Sequence, residues 1–159
     1  MTSEQLAADV LAQAKSSGLT IVTAESCTAG QLALELSRAV GAAKFFHGGF
    51  VTYTKAMKNA VLGVPMPLLM QKSAVCAEVA IAMAEGALER SPADISVSIT
   101  GVAGPEPDED GNPVGLVYCA TARRGRPTRH VRLECGSDEQ EVILETSMCR
   151  ALLLLKSTF

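Results

Sequence analysis

Hydrophobic and polar positions along the chain follow two periods, which predict helices and strands in turn. Apolar residues spaced three and four apart predict long helices over residues 3–17, 29–40, 75–90 and 138–156, and shorter helical segments near 55–62 and 67–71. Short alternating or continuous apolar runs predict strands over residues 19–24, 45–54, 93–100, 115–123 and 128–134.

The order of these elements predicts the fold class. Strands and helices intermix along the chain, and neither a low-complexity linker nor a repeat of about 20–50 residues divides it. We therefore predict an α/β protein with a single domain over residues 1–159, built as a three-layer α/β/α sandwich around a mixed, mostly parallel sheet. Residues 124–127 separate the last two strands as a hairpin turn, so we expect antiparallel pairing there.

Composition and charge exclude several classes of partner. The chain of 159 residues is 48% apolar and 19% charged, which is the balance of a compact globular domain. Its net charge of −3 provides no field that would attract nucleic acid or an anionic membrane. No apolar run approaches the length of a membrane-spanning helix. We expect neither nucleic acid nor membrane as a partner.

The cysteines and histidines predict no metal site and no disulfide framework. The five cysteines are an odd set without a C-x-x-C pair, and thiols scattered among apolar residues are typical of a reducing compartment, so we expect a cytoplasmic location. His47 and His130 accompany no carboxylate cluster. The acidic stretch 106–111 lacks the spacing of a calcium loop and is predicted to be a solvated loop.

Residues 23–30 (TAESCTAG) follow one predicted strand and precede a predicted helix, which indicates a sharp strand-to-helix turn. The first N–H groups of a helix have no partner within the helix, so they can hold an anion or a developing oxyanion. Helix capping is the alternative role for hydroxyls in such a turn. The turn carries a carboxylate, two hydroxyls, a thiol and a glycine: Glu25, Ser26, Thr28, Cys27 and Gly30.

Three predicted strands end in hydroxyl side chains, at Ser26, Tyr53 and Thr100. If these strands are neighbours with one direction, the three side chains surround one crevice at the carboxyl edge of the sheet. Lys58 follows Tyr53 closely enough to reach the same crevice, and a desolvated lysine has the lowered pKa of a general base. An ordinary strand tyrosine and a solvated lysine are the alternatives.

Glycines and arginines offer two further anion sites. Gly101 and Gly104 follow a buried strand and are compatible with a backbone nest for phosphate or with a plain tight turn. The arginines between residues 123 and 132 form either a solvated hairpin tip or a phosphate clamp.

Five stretches together resemble the CinA C-terminal domain family, the nicotinamide mononucleotide deamidases of bacteria. The resemblance covers roughly residues 5–155, and several blocks in register make it specific. The matching stretches are residues 23–30 (TAESCTAG), 48–53 (GGFVTY), Lys58 with 62–64 (LGV), 100–105 (TGVAGP) and 114–118 (VGLVY).

The resemblance implies an α/β amidohydrolase that converts nicotinamide mononucleotide to nicotinate mononucleotide and ammonia, without a cofactor and as a homodimer. It implies Ser26 as nucleophile and Lys58 as base, with Tyr53 and Thr100 ordering the site; whether Lys58 or Tyr53 takes the proton stays open. The residues expected to contact the nucleotide are those of the turn and the glycine-rich segment: Glu25, Cys27, Thr28, Ala29, Gly30, Gly101 and Gly104.

Residues 136–140 depart from the family, whose members often have a glycine followed by a basic residue there, whereas this chain is acidic and polar. If that basic residue contacts the phosphate, we expect Arg150 or the hairpin arginines to replace it. The departure also supports a second hypothesis, a non-catalytic nucleotide-binding module associated with competence or damage. A thiol enzyme using Cys27 is the third.

Overall fold

The computed structural model describes residues 1–136 and 139–159, and its centre is one open sheet of five strands in the order β2-β1-β3-β4-β5. The strands are β1 (Ile21–Glu25), β2 (Phe46–Val51), β3 (Ile95–Gly101), β4 (Leu116–Arg123) and β5 (Arg129–Glu134). The helices are α1 (Ser3–Ser17), α2 (Gln31–Arg38), α3 (Ala42–Phe45), α4 (Lys55–Leu62), α5 (Met66–Gln71), α6 (Ala77–Glu89) and α7 (Gln140–Lys156).

The strand directions confirm a mixed sheet in an α/β fold. Strand β1 is parallel to both β2 and β3, whereas β4 is antiparallel to β3 and to β5. Only β4 therefore runs against the other four strands. The carboxyl ends of β1, β2 and β3 consequently meet at one edge, where open α/β sheets bind ligands.

Helices pack on both faces of the sheet and enclose two main cores. On one face, α1, α2 and α7 cover the side of the sheet that carries Ile21, Ile95 and Val97. On the other face, α4, α5 and α6 cover Val22 and Ala24 of β1. Successive side chains of a strand point to opposite faces, which is why neighbouring residues of β1 belong to different cores.

The alternation in β3 separates its two buried faces by residue type. Its apolar residues belong to the core beneath α1 and α7. Its hydroxyl residues face α6 and the segment before it, where Ser96 donates to the carbonyl of Ala84 and Ser98 to that of Ala80, each at 2.6 Å. Each of these hydroxyls thus has an acceptor, so the strand is buried on both faces without unpaired serines.

The structure shortens several predicted elements. The predicted helix over 29–40 begins at Gln31, and a separate short helix, α3, precedes β2. Phe45, predicted as the first residue of the second strand, is the last residue of that short helix. Ser137 and Asp138, where the chain departs from the family, lie outside the described residues.

No helix among residues 1–136 and 139–159 has both the length and the apolar character needed to cross a membrane.

Candidate active site

A cavity of about 720 Å³ opens at the carboxyl edge of the sheet, beside the ends of β1 and β3 and the segment after β2. Its lining includes Ser26, Tyr53, Lys58 and Thr100, the residues predicted from the sequence to carry chemistry. The parallel arrangement of β1, β2 and β3 is the reason that strand ends far apart in the chain meet here. Their chemical roles remain predictions.

The turn that presents Ser26 is built around the buried carboxylate of Glu25. This carboxylate accepts hydrogen bonds from backbone N–H groups at the start of α2 and from two threonine hydroxyls, at 2.7–3.3 Å. Such N–H groups lack partners within the helix, and the positive end of the helix dipole favours a negative charge. The donors are Thr23, Thr28, Gly30, Leu32 and Ala33.

This arrangement leaves four of the substrate contacts expected within the turn outside the cavity lining. Glu25 and Thr28 are buried against each other, and neither they nor Ala29 and Gly30 line the cavity. The carboxylate of Glu25 already occupies the N–H groups at the start of α2, so those groups do not face an incoming oxyanion. Of the predicted contacts in the turn beyond Ser26, Cys27 does line the cavity.

Lys58 is the buried partner of Ser26. Its Nζ lies 2.7 Å from Ser26 Oγ, 2.8 Å from the carbonyl oxygen of Thr52 and 3.2 Å from that of Tyr53. The residue is only 1% exposed, and these three acceptors are uncharged. Burial lowers the pKa of Lys58 to about 8, because the ammonium loses its hydration without gaining a carboxylate partner.

The hydrogen-bond inventory of Lys58 suits both of its protonation states. A carbonyl oxygen can only accept, so the Thr52 and Tyr53 carbonyls require two N–H donors in either state. A neutral amine has two N–H groups and one lone pair, which leaves the lone pair for the hydroxyl of Ser26. An ammonium instead donates to all three oxygens. Loss of a proton therefore needs no rearrangement of the pocket.

Tyr53 and Thr100 support the site in ways that differ from the prediction. Tyr53 binds Lys58 through its backbone carbonyl, and its side chain is 66% exposed at the mouth of the cavity. The hydroxyl of Thr100 donates to the carbonyl of Ala74 at 2.7 Å, which ties the segment before α6 to the end of β3. Both residues line the cavity.

The environment of Cys27 disfavours the thiol hypothesis. Burial raises the pKa of its thiol to about 12, and the nearby Lys58 offsets only part of that rise. A thiol reacts as a nucleophile in its thiolate form, which is scarce so far below the pKa. Ser26, with an amine at hydrogen-bond distance, is the better placed nucleophile.

The glycine-rich segment after β3 lines the cavity, but packing explains part of its composition. A Cβ on Gly101 would lie 2.6 Å from the side chain of Val117 on β4, so this position has no room for a larger residue. Gly104 has a φ of +87°, a conformation that favours glycine. Both glycines remain candidates for nucleotide contact because they line the cavity.

None of the arginines between residues 123 and 132 lines this cavity, so none is placed as its phosphate clamp. Arg123 pairs with Ile95 at the start of β3, whereas the cavity lies beyond Gly101 at its end. The reversed direction of β4 places the hairpin at the opposite edge of the sheet. Arg150, the other expected replacement, does not line the cavity either.

Sequence reasoning missed an ion-pair network at the cavity mouth. Lys55 Nζ lies 2.9 Å from Asp110 and 3.4 Å from Glu109, and all three residues line the cavity. The acidic segment was expected to be a solvated loop. No local pattern indicates the pairing, because Lys55 begins helix α4 and its partners lie in the loop after β3, where Asp110 is 55 residues away along the chain. Within the described residues, no group of three or more His, Cys, Asp or Glu is placed to hold a metal ion.

These observations define the class of protein: it is an α/β domain with a buried Ser–Lys pair at the carboxyl edge of its sheet. The family model of the CinA C-terminal domain matches residues 3–159. The chain therefore belongs to the CinA C-terminal domain family.

Individual relatives agree with this assignment. The chain is 42% identical over 142 residues to a CinA-like protein of Myxococcus xanthus, covering 89% of this chain and 34% of that protein. It is 43% identical over 136 residues to protein YdeJ of Escherichia coli, covering 86% of this chain and 79% of YdeJ. The chain thus spans about a third of the length of the CinA-like protein but most of YdeJ.

Solved structures share the whole fold. The competence/damage inducible protein CihA of Agrobacterium tumefaciens superimposes with a TM-score of 0.93 at 37% identity, covering 98% of this chain and 94% of that one. A CinA superfamily protein of Escherichia coli gives the same TM-score and identity, covering 99% and 91% of the two chains.

We expect Glu25→Gln to destabilise the protein by about 2–4 kcal/mol, because an amide places N–H groups against the donors at the start of α2. Urea unfolding measures the change. Glu35→Gln, on the same helix, removes an ion pair with the largely exposed Arg38 and should change stability by less than about 1 kcal/mol. Equal effects of the two substitutions would contradict the central role of Glu25.

The lowered pKa of Lys58 predicts a pH-dependent stability. Between about pH 8 and 10.5 the unfolded chain holds a proton on Lys58 that the folded protein has lost, so the free energy of unfolding gains a contribution that rises with pH. Chemical unfolding of wild type and Lys58→Met across this range isolates that contribution. Wild type should gain stability relative to the variant as pH rises. A constant difference between them would show that the pKa of Lys58 is not lowered.

Proposed function

We propose that this domain is a serine amidohydrolase that converts nicotinamide mononucleotide to nicotinate mononucleotide and ammonia. The observation that carries the proposal is the 2.7 Å contact between Ser26 Oγ and the buried, uncompensated amine of Lys58. Membership of the CinA C-terminal domain family supports the substrate, through the resemblance described above. A cavity of about 720 Å³ is also of the size that small-molecule ligands occupy.

In the first half of the proposed reaction, neutral Lys58 takes the proton of Ser26 while Oγ attacks the carboxamide carbon. The amide nitrogen of the tetrahedral intermediate then receives that proton from Lys58 and leaves as ammonia, so that Ser26 carries the nicotinoyl group as an ester. The N–H group of Cys27 is the candidate donor to the oxyanion, because Cys27 lines the cavity beside Ser26 whereas Glu25 occupies the N–H groups that follow in the turn.

In the second half, a water molecule attacks the ester carbon and gives its proton to Lys58. Collapse of the second intermediate breaks the bond to Oγ, and the proton returns from Lys58 to Ser26. The carboxylate of nicotinate mononucleotide is released. The product acid gives its proton to the released ammonia, so one amide and one water are consumed and one carboxylate and one ammonium ion are formed. The amine of Lys58 ends each cycle as it began.

The pKa of Lys58 fits a general base that works near neutral pH. With a pKa of about 8, about a tenth of the amines are neutral at pH 7, whereas an ordinary lysine is almost wholly protonated there. The neutral form accepts the proton of Ser26, and the ammonium then supplies it to the leaving nitrogen. The phenol of Tyr53 has no comparable contact with Ser26 among the bonds described above, so we assign the proton transfer to Lys58.

A non-catalytic nucleotide-binding module of the same fold is the second candidate. The departure from the family pattern at residues 136–140 is the feature that favours it. Both candidates predict nucleotide binding, and only the first predicts turnover.

Ammonia release from nicotinamide mononucleotide by purified wild type and by Ser26→Ala tests the proposal. We expect wild type to release ammonia and the variant to lose at least about 10³-fold in kcat, with nucleotide binding retained, because only the nucleophile is removed. Cys27→Ala is the matched control in the adjacent position and should stay active, and iodoacetamide should leave wild type active. Binding without release by wild type would favour the second candidate.

The pH dependence of the reaction tests which group takes the proton. If Lys58 is the base, kcat/KM for nicotinamide mononucleotide should rise with pH and level off above about pH 8, where the free enzyme holds Lys58 as the neutral amine. Tyr53→Phe should retain this profile, whereas Lys58→Ala should lose the activity and with it the rise. A profile that Tyr53→Phe shifts and Lys58→Met leaves intact would reverse the assignment.

A further inference from the structure

Lys55 begins helix α4 one turn before Lys58, and its ammonium is held at the mouth of the cavity. Its Nζ pairs with Asp110 at 2.9 Å and with Glu109 at 3.4 Å, and its side chain is only 14% exposed. Residues three apart on a helix lie side by side, so Lys55 and Lys58 point from one face of α4 towards the same cavity. The proposed reaction makes no use of Lys55.

The described residues around the cavity leave one cation for an anionic substrate. Lys55 and Lys58 are the basic residues of its lining, among four acidic ones. Lys58 is engaged with Ser26 and two carbonyl oxygens, so its donors are already used. A phosphate that enters the cavity can therefore form its charged hydrogen bond with Lys55.

We propose that Lys55 binds the phosphate of the nucleotide substrate and that Asp110 holds the ammonium in place for it. The inference rests on the proposed function and adds the residue that distinguishes a nucleotide from its nucleoside. A lysine ammonium has three N–H donors, and Asp110 and Glu109 accept from two of them. One donor of Lys55 is therefore left for the phosphate.

The two carboxylates have different roles in this arrangement. The side chain of Glu109 is 73% exposed and makes the longer contact, so it can exchange its place for a phosphate and return to water. The side chain of Asp110 is 25% exposed and makes the shorter contact, so it stays and orients Lys55. Hydrogen bonding to Asp110 also raises the pKa of Lys55, which keeps it cationic at neutral pH.

Two ligands that differ only by the phosphate test the proposal: nicotinamide mononucleotide and nicotinamide riboside. Their dissociation constants are measured by calorimetry in the Ser26→Ala background, where turnover is stopped, and their kcat/KM values with Ser26 present. We expect Lys55→Met to weaken binding of the mononucleotide about 10- to 100-fold, the loss of one charged hydrogen bond, and to change riboside binding by less than about 3-fold.

Three variants separate a direct contact from other effects. Lys55→Met combined with Asp110→Asn restores the net charge of the cavity without restoring the cation, and should bind the mononucleotide as poorly as Lys55→Met. Lys55→Arg keeps the charge and should retain at least a tenth of the affinity. Lys15→Met removes an exposed lysine from α1 and should bind both ligands as wild type does.

Equal losses for both ligands in Lys55→Met would overturn the proposal, because the phosphate would then not be the group recognised. Recovery of mononucleotide binding in the charge-restored double variant would overturn it too, since the field of the cavity rather than a contact would set the preference. A wild type that binds the mononucleotide through Lys55 but releases no ammonia would remove the proposed function and support this inference.

Discussion

The arrangement of the site depends on the burial of one carboxylate, that of Glu25, at the start of α2. The two oxygens of this carboxylate accept hydrogen bonds from three backbone N–H groups and two threonine hydroxyls. The backbone carbonyl of Glu25 accepts a further hydrogen bond from the N–H of Thr52, just after β2. One residue thus joins the end of β1, the first turn of α2 and the segment that follows β2. Ser26 and the two carbonyls that receive Lys58 are therefore held on a common frame.

Within that frame the fold buries an amine whose hydrogen-bond partners, among the described residues, include no carboxylate. Three neutral oxygens satisfy its hydrogen bonds but do not balance its charge, so the cost of desolvation appears as a lowered pKa. Glu25 lies in the same region with its negative charge committed to helix donors. Burial of Lys58 lowers the stability of the folded protein at neutral pH, and it also gives this amine a pKa near neutrality.

Lys55, the other lysine of α4, lies in the opposite electrostatic environment. Lys55 is paired with two carboxylates from the loop after β3 and keeps its proton, although it begins the same helix. One short helix therefore brings to the cavity an amine with a lowered pKa and an ammonium with a raised pKa. General-base chemistry and anion recognition require these two states, and the difference comes from which neighbours each side chain meets.

The sequence by itself was sufficient for the fold class, for most elements and for four hydroxyl and amine residues of the cavity lining. Periods of two and near four record which face of each element is buried, and hydroxyls at strand ends mark a ligand-binding edge once the strands are parallel. Ser26, Tyr53, Lys58 and Thr100 were found in this way. The boundary at Phe45 was missed, because an apolar residue suits the end of a helix and the start of a strand equally.

Tertiary structure alone decided how each charge is used. A glutamate has the same place in the sequence whether it contacts a ligand or caps a helix, and only the packing of α2 against β1 assigns Glu25 to the cap. The reversed direction of β4 carries the hairpin turn, with Arg124 and Arg126, to the far edge of the sheet. Lys55 and Asp110 are 55 residues apart, and no local period records such a contact. Charge pairing depends on distance in space, which only the folded chain sets.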